Sequence, residues 1–138
     1  MQLCHEGDGT ILVFPRGVTA EHAMQGNSAF RAIGHLNDRS MRVLHVFVDP
    51  AHRNRGICTR MILMFATEAR SRQIRRLDLD DMSDAYRQRR NVYVQCGFRY
   101  LKKDVGCEMT ATPRHVIAMA NKKLETLETT NAAGVRRD

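Results

Sequence analysis

At 138 residues, 43% of them hydrophobic, the chain is long enough for one domain with a core of its own. Its 22 Lys and Arg against 15 Asp and Glu give a net charge of +7, a field that attracts phosphates or nucleic acid. No apolar run approaches the roughly 20 residues that span a bilayer, and Met1 to Glu6 lack a secretory pattern. The four cysteines and six histidines show neither Cys-x-x-Cys nor metal-ligand spacing, so the expectation is a cytoplasmic protein with reduced thiols, no metal and no membrane partner.

Taken in chain order, Gln2 to His5 and Thr10 to Phe14 read as strands around the turn Glu6-Gly7-Asp8-Gly9. Thr19 caps a short helix through Met24. Ala29 to Leu36 and Met41 to Val48 read as antiparallel strands around Asn37-Asp38-Arg39-Ser40, the second apolar on both faces as suits a central strand. A helix follows, with Cys58, Met61, Ile62, Phe65 and Ala69 at helical spacing. Arg76 to Asp80 is a strand, Asp84 to Cys96 a second helix, and Phe98 to Lys102 with Gly106 to Ala111 a closing hairpin. Thr112-Pro113 opens a last helix whose Val116, Ile117, Ala120, Leu124 and Leu127 form an apolar stripe. That stripe needs a cover, either its own domain or a second copy in a homodimer. The expected organisation is a single domain over 1–112, a helix over 113–128 and a flexible tail over 129–138.

The most telling junction lies between the strand ending at Val48 and the helix after Gly56. A helix start concentrates unpaired N–H groups and positive dipole. Gly56 permits close backbone approach, and Arg53 and Arg55 add charge. The natural guest is a phosphate or pyrophosphate.

Arg53-Asn54-Arg55-Gly56-Ile57-Cys58 resembles the Gln/Arg-x-x-Gly-x-Gly/Ala loop of the GNAT superfamily, the Gcn5-related N-acetyltransferases, with Cys58 in place of the last small residue. Tyr93-Val94-Gln95-Cys96-Gly97-Phe98 resembles the family's Tyr-x-x-x-Gly-Phe segment, 37 residues after Gly56. The resemblance covers roughly Met41 to Thr112. It implies an α/β (α+β) fold with a mixed, mostly antiparallel central sheet flanked by helices, here with a shortened N-terminal region and a C-terminal helical extension. It further implies acetyl-CoA as cosubstrate, its pantetheine arm along Val46, Phe47 and Val48. Its pyrophosphate falls at Arg53, Asn54, Arg55, Gly56, Ile57, Cys58 and Thr59.

Acetyl transfer needs an acid for the departing thiolate and a base for the amine. The resemblance puts the acid at Tyr93, whose hydroxyl near pKa ~10 can serve a thiolate near ~8.5. Where many relatives carry a strand glutamate, this chain has Leu44 and His45. His45, with an ordinary pKa near ~6.5, is one candidate base. Asp81 is the other, in the acidic group Asp78, Asp80, Asp81 and Asp84, which either binds a cationic amine or partners the abundant arginines. Tyr86 stands where relatives often place an asparagine for the pantetheine arm, and Asn91 is out of that register.

These residues imply an N-acetyltransferase acting on a primary amine, either a small cationic amine, a protein lysine or a protein N-terminus. Cys58, Tyr86 and the missing glutamate support an alternative, a degenerate GNAT fold that binds coenzyme A or a partner without catalysis. The basic clusters Arg70, Arg72, Arg75, Arg76 and Arg87, Arg89, Arg90 support another, a nucleic-acid-binding domain. No aromatics are interleaved with them for base stacking, which counts against nucleic acid as a partner.

Overall fold

The computed structural model describes residues 1–132. In chain order the elements are β1 Gln2–His5, β2 Thr10–Phe14, α1 Ala20–Met24, β3 Phe30–Leu36, β4 Ser40–Val48, α2 Ile57–Ser71, β5 Arg76–Asp80, α3 Val92–Gln95, β6 Arg99–Tyr100, β7 Glu108–Ala111 and α4 Pro113–Ala132. One seven-stranded sheet runs β1-β2-β3-β4-β5-β7-β6. Only β4 and β5 are parallel, and every other neighbour pair is antiparallel. Among the described residues no helix is long and apolar enough to cross a membrane.

Strand alternation decides which face each helix covers. Ile11 and Val13 of β2 join Met61, Ile62 and Phe65 of α2 and Val116 and Ala120 of α4 in the main core. Leu12 and Phe14, pointing the other way, meet Ala23 of α1 in a small second cluster. Each fully buried large side chain contributes about 1.5–3 kcal/mol, so the α2/α4 face carries most of the stability. The five-residue α1 covers part of the opposite face through Ala23. Thr19 starts it as expected, its hydroxyl accepting from His22 N–H.

The sheet opens at its middle. β4 pairs with β5 only from Ser40 to Val43, and on the β3 side Ile33 faces His45 while Gly34 faces Val43, leaving Leu44 as an extra, bulged residue. A bulge bends its strand. Leu44 is thrown outward, 58% exposed, while the chain after β5 turns toward the far side, Asp81 N–H donating to the Cys107 carbonyl. The β4 main chain from Val46 to Val48 therefore borders a gap rather than a partner strand.

Two expectations change. Asp84 to Cys96 is not one helix, because only Val92–Gln95 is helical. Asn91 sits in extended geometry as the cap, its Oδ1 accepting from Tyr93 and Val94 N–H. Ahead of it Arg87 adopts a left-handed φ of 59° and donates to the carbonyls of Lys102, Lys103 and Gly106. Its guanidinium also lies over the Tyr100 ring at 4.4 Å, so this segment is a loop pinned to the β6–β7 connection.

The last helix is also longer than expected. Thr112 caps it, but it continues past residue 128 to Ala132. The expected tail 129–138 is thus helical at its start, and 133–138 lie outside the described residues. Val116, Ile117 and Ala120 of its stripe join the main core of the same chain.

Candidate active site

Two cavities meet in the gap between β4 and β5. The first, about 550 Å³, is bounded by Val46 and Val48 of β4, His52 to Asn54 and Gly56 to Thr59 of the loop and helix start, Ser83 to Ala85, Arg90, Val92, Tyr93, Lys123 and Leu127. The second, about 510 Å³, is bounded by Val43 to Val46, Arg53, Leu79, Asp80, Met82 to Asp84 and Tyr93. Val46, Arg53, Ser83, Asp84 and Tyr93 border both, so they are two limbs of one cleft. A larger cavity of 1020 Å³ lies elsewhere, among Arg39, Arg76, Asp78 and Arg99. There β4, β5 and β7 are paired, and neither the glycine loop nor Tyr93 borders that cavity.

The first limb suits an anion with an extended tail. Asn54 and Gly56 take left-handed φ values of 65° and 77°, which turn successive backbone N–H groups to one side. Gly56 is the cap of α2, no side chain caps that helix, and its first turn holds no acidic residue. The limb carries three fixed cations, Arg53, Arg90 and Lys123, against Asp84. Arg53 is partly spent, its Nε donating to the Val48 carbonyl. Beside this end the unpaired main chain of β4 can be matched strand-fashion. These residues fit a pyrophosphate followed by an amide-bearing arm.

Most of the expected binding residues converge here, with two exceptions. Phe47 points to the opposite face of β4, where Arg31 lies 4.8 Å above its ring, so only its main chain remains for the arm. Arg55 is exposed and borders neither limb. Cys58 is accommodated without charge, since burial, then the nearby Cys96, push its thiol up to about 12. Thr59 is almost fully buried.

Tyr93 stands where the limbs join. Its ring meets Phe98 edge-on at 6.3 Å, and its hydroxyl has no protein hydrogen-bond partner among the described residues. Burial chiefly, then Cys58, Asp81 and Cys96, push it well above the ordinary tyrosine range, so it stays protonated. The second limb holds His45 with Asp80 and Asp84. Burial and the Arg31 charge lower the His45 pKa, leaving the ring neutral near pH 7. Asp80 pairs with Arg42 at 2.8 Å.

Asp81 does not fit the role of a base. It is 2% exposed and borders neither limb. Its carboxylate accepts from Ser83 N–H and Oγ, from Tyr100 and from Asn91 Nδ2. Burial raises its pKa, but these four donors together hold it below the ordinary value. Saturated in this way, it has no lone pair aimed at a substrate.

Sequence reasoning missed three contributors. Asn91, 1% exposed, caps α3 with its oxygen and ties it to Asp81 with its nitrogen. An Asn directly before Val92-Tyr93 was a legible cap signal. Arg90 and Lys123 reach the first limb from the pinned loop and from α4, and no local pattern announces such long-range placement. Among the described residues no group of three His, Cys, Asp or Glu is placed to hold a metal ion.

Residues 19–98 match the family model of the acetyltransferase (GNAT) family. The chain belongs to that family. Among solved structures, the GNAT-family acetyltransferase from Staphylococcus aureus Mu50 superposes with a TM-score of 0.58 at 16% identity, over 77% of this chain and 69% of that one. An aminoglycoside 6′-acetyltransferase type Ii gives 0.56 at 14%, over 78% and 71%. The IAA acetyltransferase from Bacillus cereus ATCC 14579 gives 0.55 at 11%, over 75% and 78%. At these identities the likeness carries the GNAT fold and not the acceptor. No curated protein matches the chain in sequence.

Proposed function

We propose that this chain is an acetyl-CoA-dependent N-acetyltransferase that delivers the acetyl group directly to a primary amine in the cleft between β4 and β5. The observation that carries the reading is Tyr93, bordering both limbs with a hydroxyl that has no hydrogen-bond partner among the described residues. Acetyl-CoA supplies an activated acetyl group and a thiolate leaving group. The loop from Arg53 to Thr59 holds the phosphates, and the β4 main chain from Val46 to Val48 aligns the arm toward Tyr93. Tyr93 donates its proton to the departing sulfur.

On the other side Asp80 is paired with Arg42, and Asp84, with no ion pair among the described residues, is the carboxylate left to favour a cationic acceptor. An amine near pKa ~10.4 must shed a proton before it can attack. His45, neutral and in the same limb, accepts it directly or through one water. The reaction belongs in the cytoplasm, where the four unpaired cysteines stay reduced.

The departures at Cys58 and Tyr86 favour a non-catalytic protein less than they did in the sequence. Cys58 is uncharged at the loop, and the Tyr86 hydroxyl is committed to the Gly106 carbonyl outside the cleft. Nucleic acid also loses support, because Arg72, Arg76 and Arg87 are engaged within the chain.

The test is incubation with acetyl-CoA and a panel of amines, lysine peptides and peptides with free N-termini, with products weighed by mass spectrometry. Acetylated cationic amines are expected, with the preference over neutral ones weakening in salt. Binding of acetyl-CoA without transfer to any amine would return the protein to the non-catalytic reading.

A further inference from the structure

Lys123 lies on the C-terminal extension, outside the matched residues 19–98. It nevertheless borders the first limb together with Arg53, Asn54, Gly56 and Cys58. The adjoining turn of α4 is seated directly on the loop. A Cβ added at Gly56 would lie 3.1 Å from Leu127 Cδ1 and 3.2 Å from Leu124 Cδ2, so the two leucines that follow Lys123 on the helix fix its place beside the start of α2.

The three fixed cations of the limb are not equivalent. Arg53 donates to the Val48 carbonyl and Arg90 to Gln88 Oε1, whereas Lys123 has no hydrogen-bond or ion-pair partner among the described residues. An ammonium needs hydrogen-bond acceptors, and a cleft-lining one without them is matched by an anionic ligand. Its field reaches the loop, since the Lys123 charge opposes the upward shifts of Cys58 and Cys96.

We propose that the C-terminal helix supplies Lys123 as a pyrophosphate-binding residue, closing the cofactor limb opposite the Arg53–Thr59 amides. This rests on the acetyl-CoA reading above. The loop contributes backbone dipoles and α4 contributes the side-chain charge that Arg55, which borders neither limb, does not. Pyrophosphate is the specific target because the Lys123 turn packs on Gly56, at the amides themselves.

The test is calorimetry of the full chain with coenzyme A and with 3′-dephospho-coenzyme A, across a series of KCl concentrations. Lys123→Gln, Lys123→Arg and the exposed neighbour Lys122→Gln are compared with wild type. Lys123→Gln is expected to weaken both ligands about ten-fold and to flatten the salt dependence, while Lys123→Arg and Lys122→Gln stay close to wild type. Melting temperatures matched to wild type separate binding from folding, and Lys123→Met supplies a second neutral variant.

Unchanged affinity in both neutral variants would overturn the proposal. So would a loss confined to coenzyme A, which would place Lys123 at the ribose phosphate. A wild type that binds neither ligand would instead remove the acetyl-CoA reading beneath it.

Discussion

Asn91 Nδ2 donates to Asp81 Oδ2 across 2.7 Å, joining the end of β5 to the cap of the helix that carries Tyr93. The same Asn91 amide also reaches Ser83 Oγ and the Ala85 carbonyl, so one buried side chain sets both the inner wall of the cleft and the orientation of α3. In such a network each member restricts the others.

Loss of that tie should show first as instability. Asp81→Asn replaces an acceptor of four hydrogen bonds with a group that cannot accept them all, and about 1–3 kcal/mol of stability should be lost in urea unfolding. Because the folded Asp81 pKa is depressed, its contribution is present above the unfolded value near ~4 and disappears as pH falls through the folded one. Wild type should converge on the variant in acid. If Asp81→Asn kept its stability but lost turnover in a way high pH restored, Asp81 would be a base after all.

Tyr93→Phe keeps the edge-on contact with Phe98 and removes only the hydroxyl. Acetyl-CoA affinity should hold within two-fold or so while turnover falls roughly 10²–10⁴-fold, the usual worth of general acid–base catalysis. Single-turnover kinetics in which chemistry limits the rate make the measurement. Unaltered turnover there would reduce Tyr93 to a packing residue.

How much of this was legible in the sequence depends on the range of the interaction. The strand and helix periodicities from Gln2 to Asp80 translated directly, because binary patterning records which face is buried. The segment Asp84 to Cys96 misled because Ala85, Tyr86, Val92 and Tyr93 mimic helical spacing, while the decisive forces are the Asn91 cap and the Arg87 contacts to carbonyls near residue 103. The loop from Arg53 to Thr59 was readable as a local motif. Asp81 and Lys123 were not, since burial turned the first inward and α4 packing brought the second to a site distant in sequence.

As the base, His45 should set the acid limb of the rate profile. With its pKa lowered by burial and by Arg31, the base form persists below the ordinary value near ~6.5, so kcat/KM should rise through a pKa under that value and then level off. His45→Gln should depress the plateau and abolish that inflection. An inflection that persists unshifted in the variant would assign it to another group.

Gly97 marks the point where α3 must stop and the chain pass under α4. Its φ is 95°, and a Cβ there would lie 2.6 Å from His115 Cδ2 and 3.3 Å from Met119 Cγ. Gly97→Ala therefore adds backbone strain and a clash with α4 together, and should destabilise by roughly 2–4 kcal/mol in chemical denaturation. Wild-type stability in this variant would mean that α4 is free to shift away.

The central claim is that the cleft binds acetyl-CoA through the Arg53–Thr59 loop, and thermal unfolding of the full chain with and without acetyl-CoA, repeated for Gly56→Glu, tests it most directly. At about 100 times its dissociation constant the ligand should add roughly 2.7 kcal/mol to wild-type stability. Gly56→Glu sets its Cβ 3.1 Å from Leu127 and 3.2 Å from Leu124 at a φ of 77°, so it should start less stable than wild type, and where it folds, the negative charge at the loop should leave it no gain from the ligand. A wild type indifferent to acetyl-CoA, or a folded Gly56→Glu stabilised as strongly as wild type, would contradict the account.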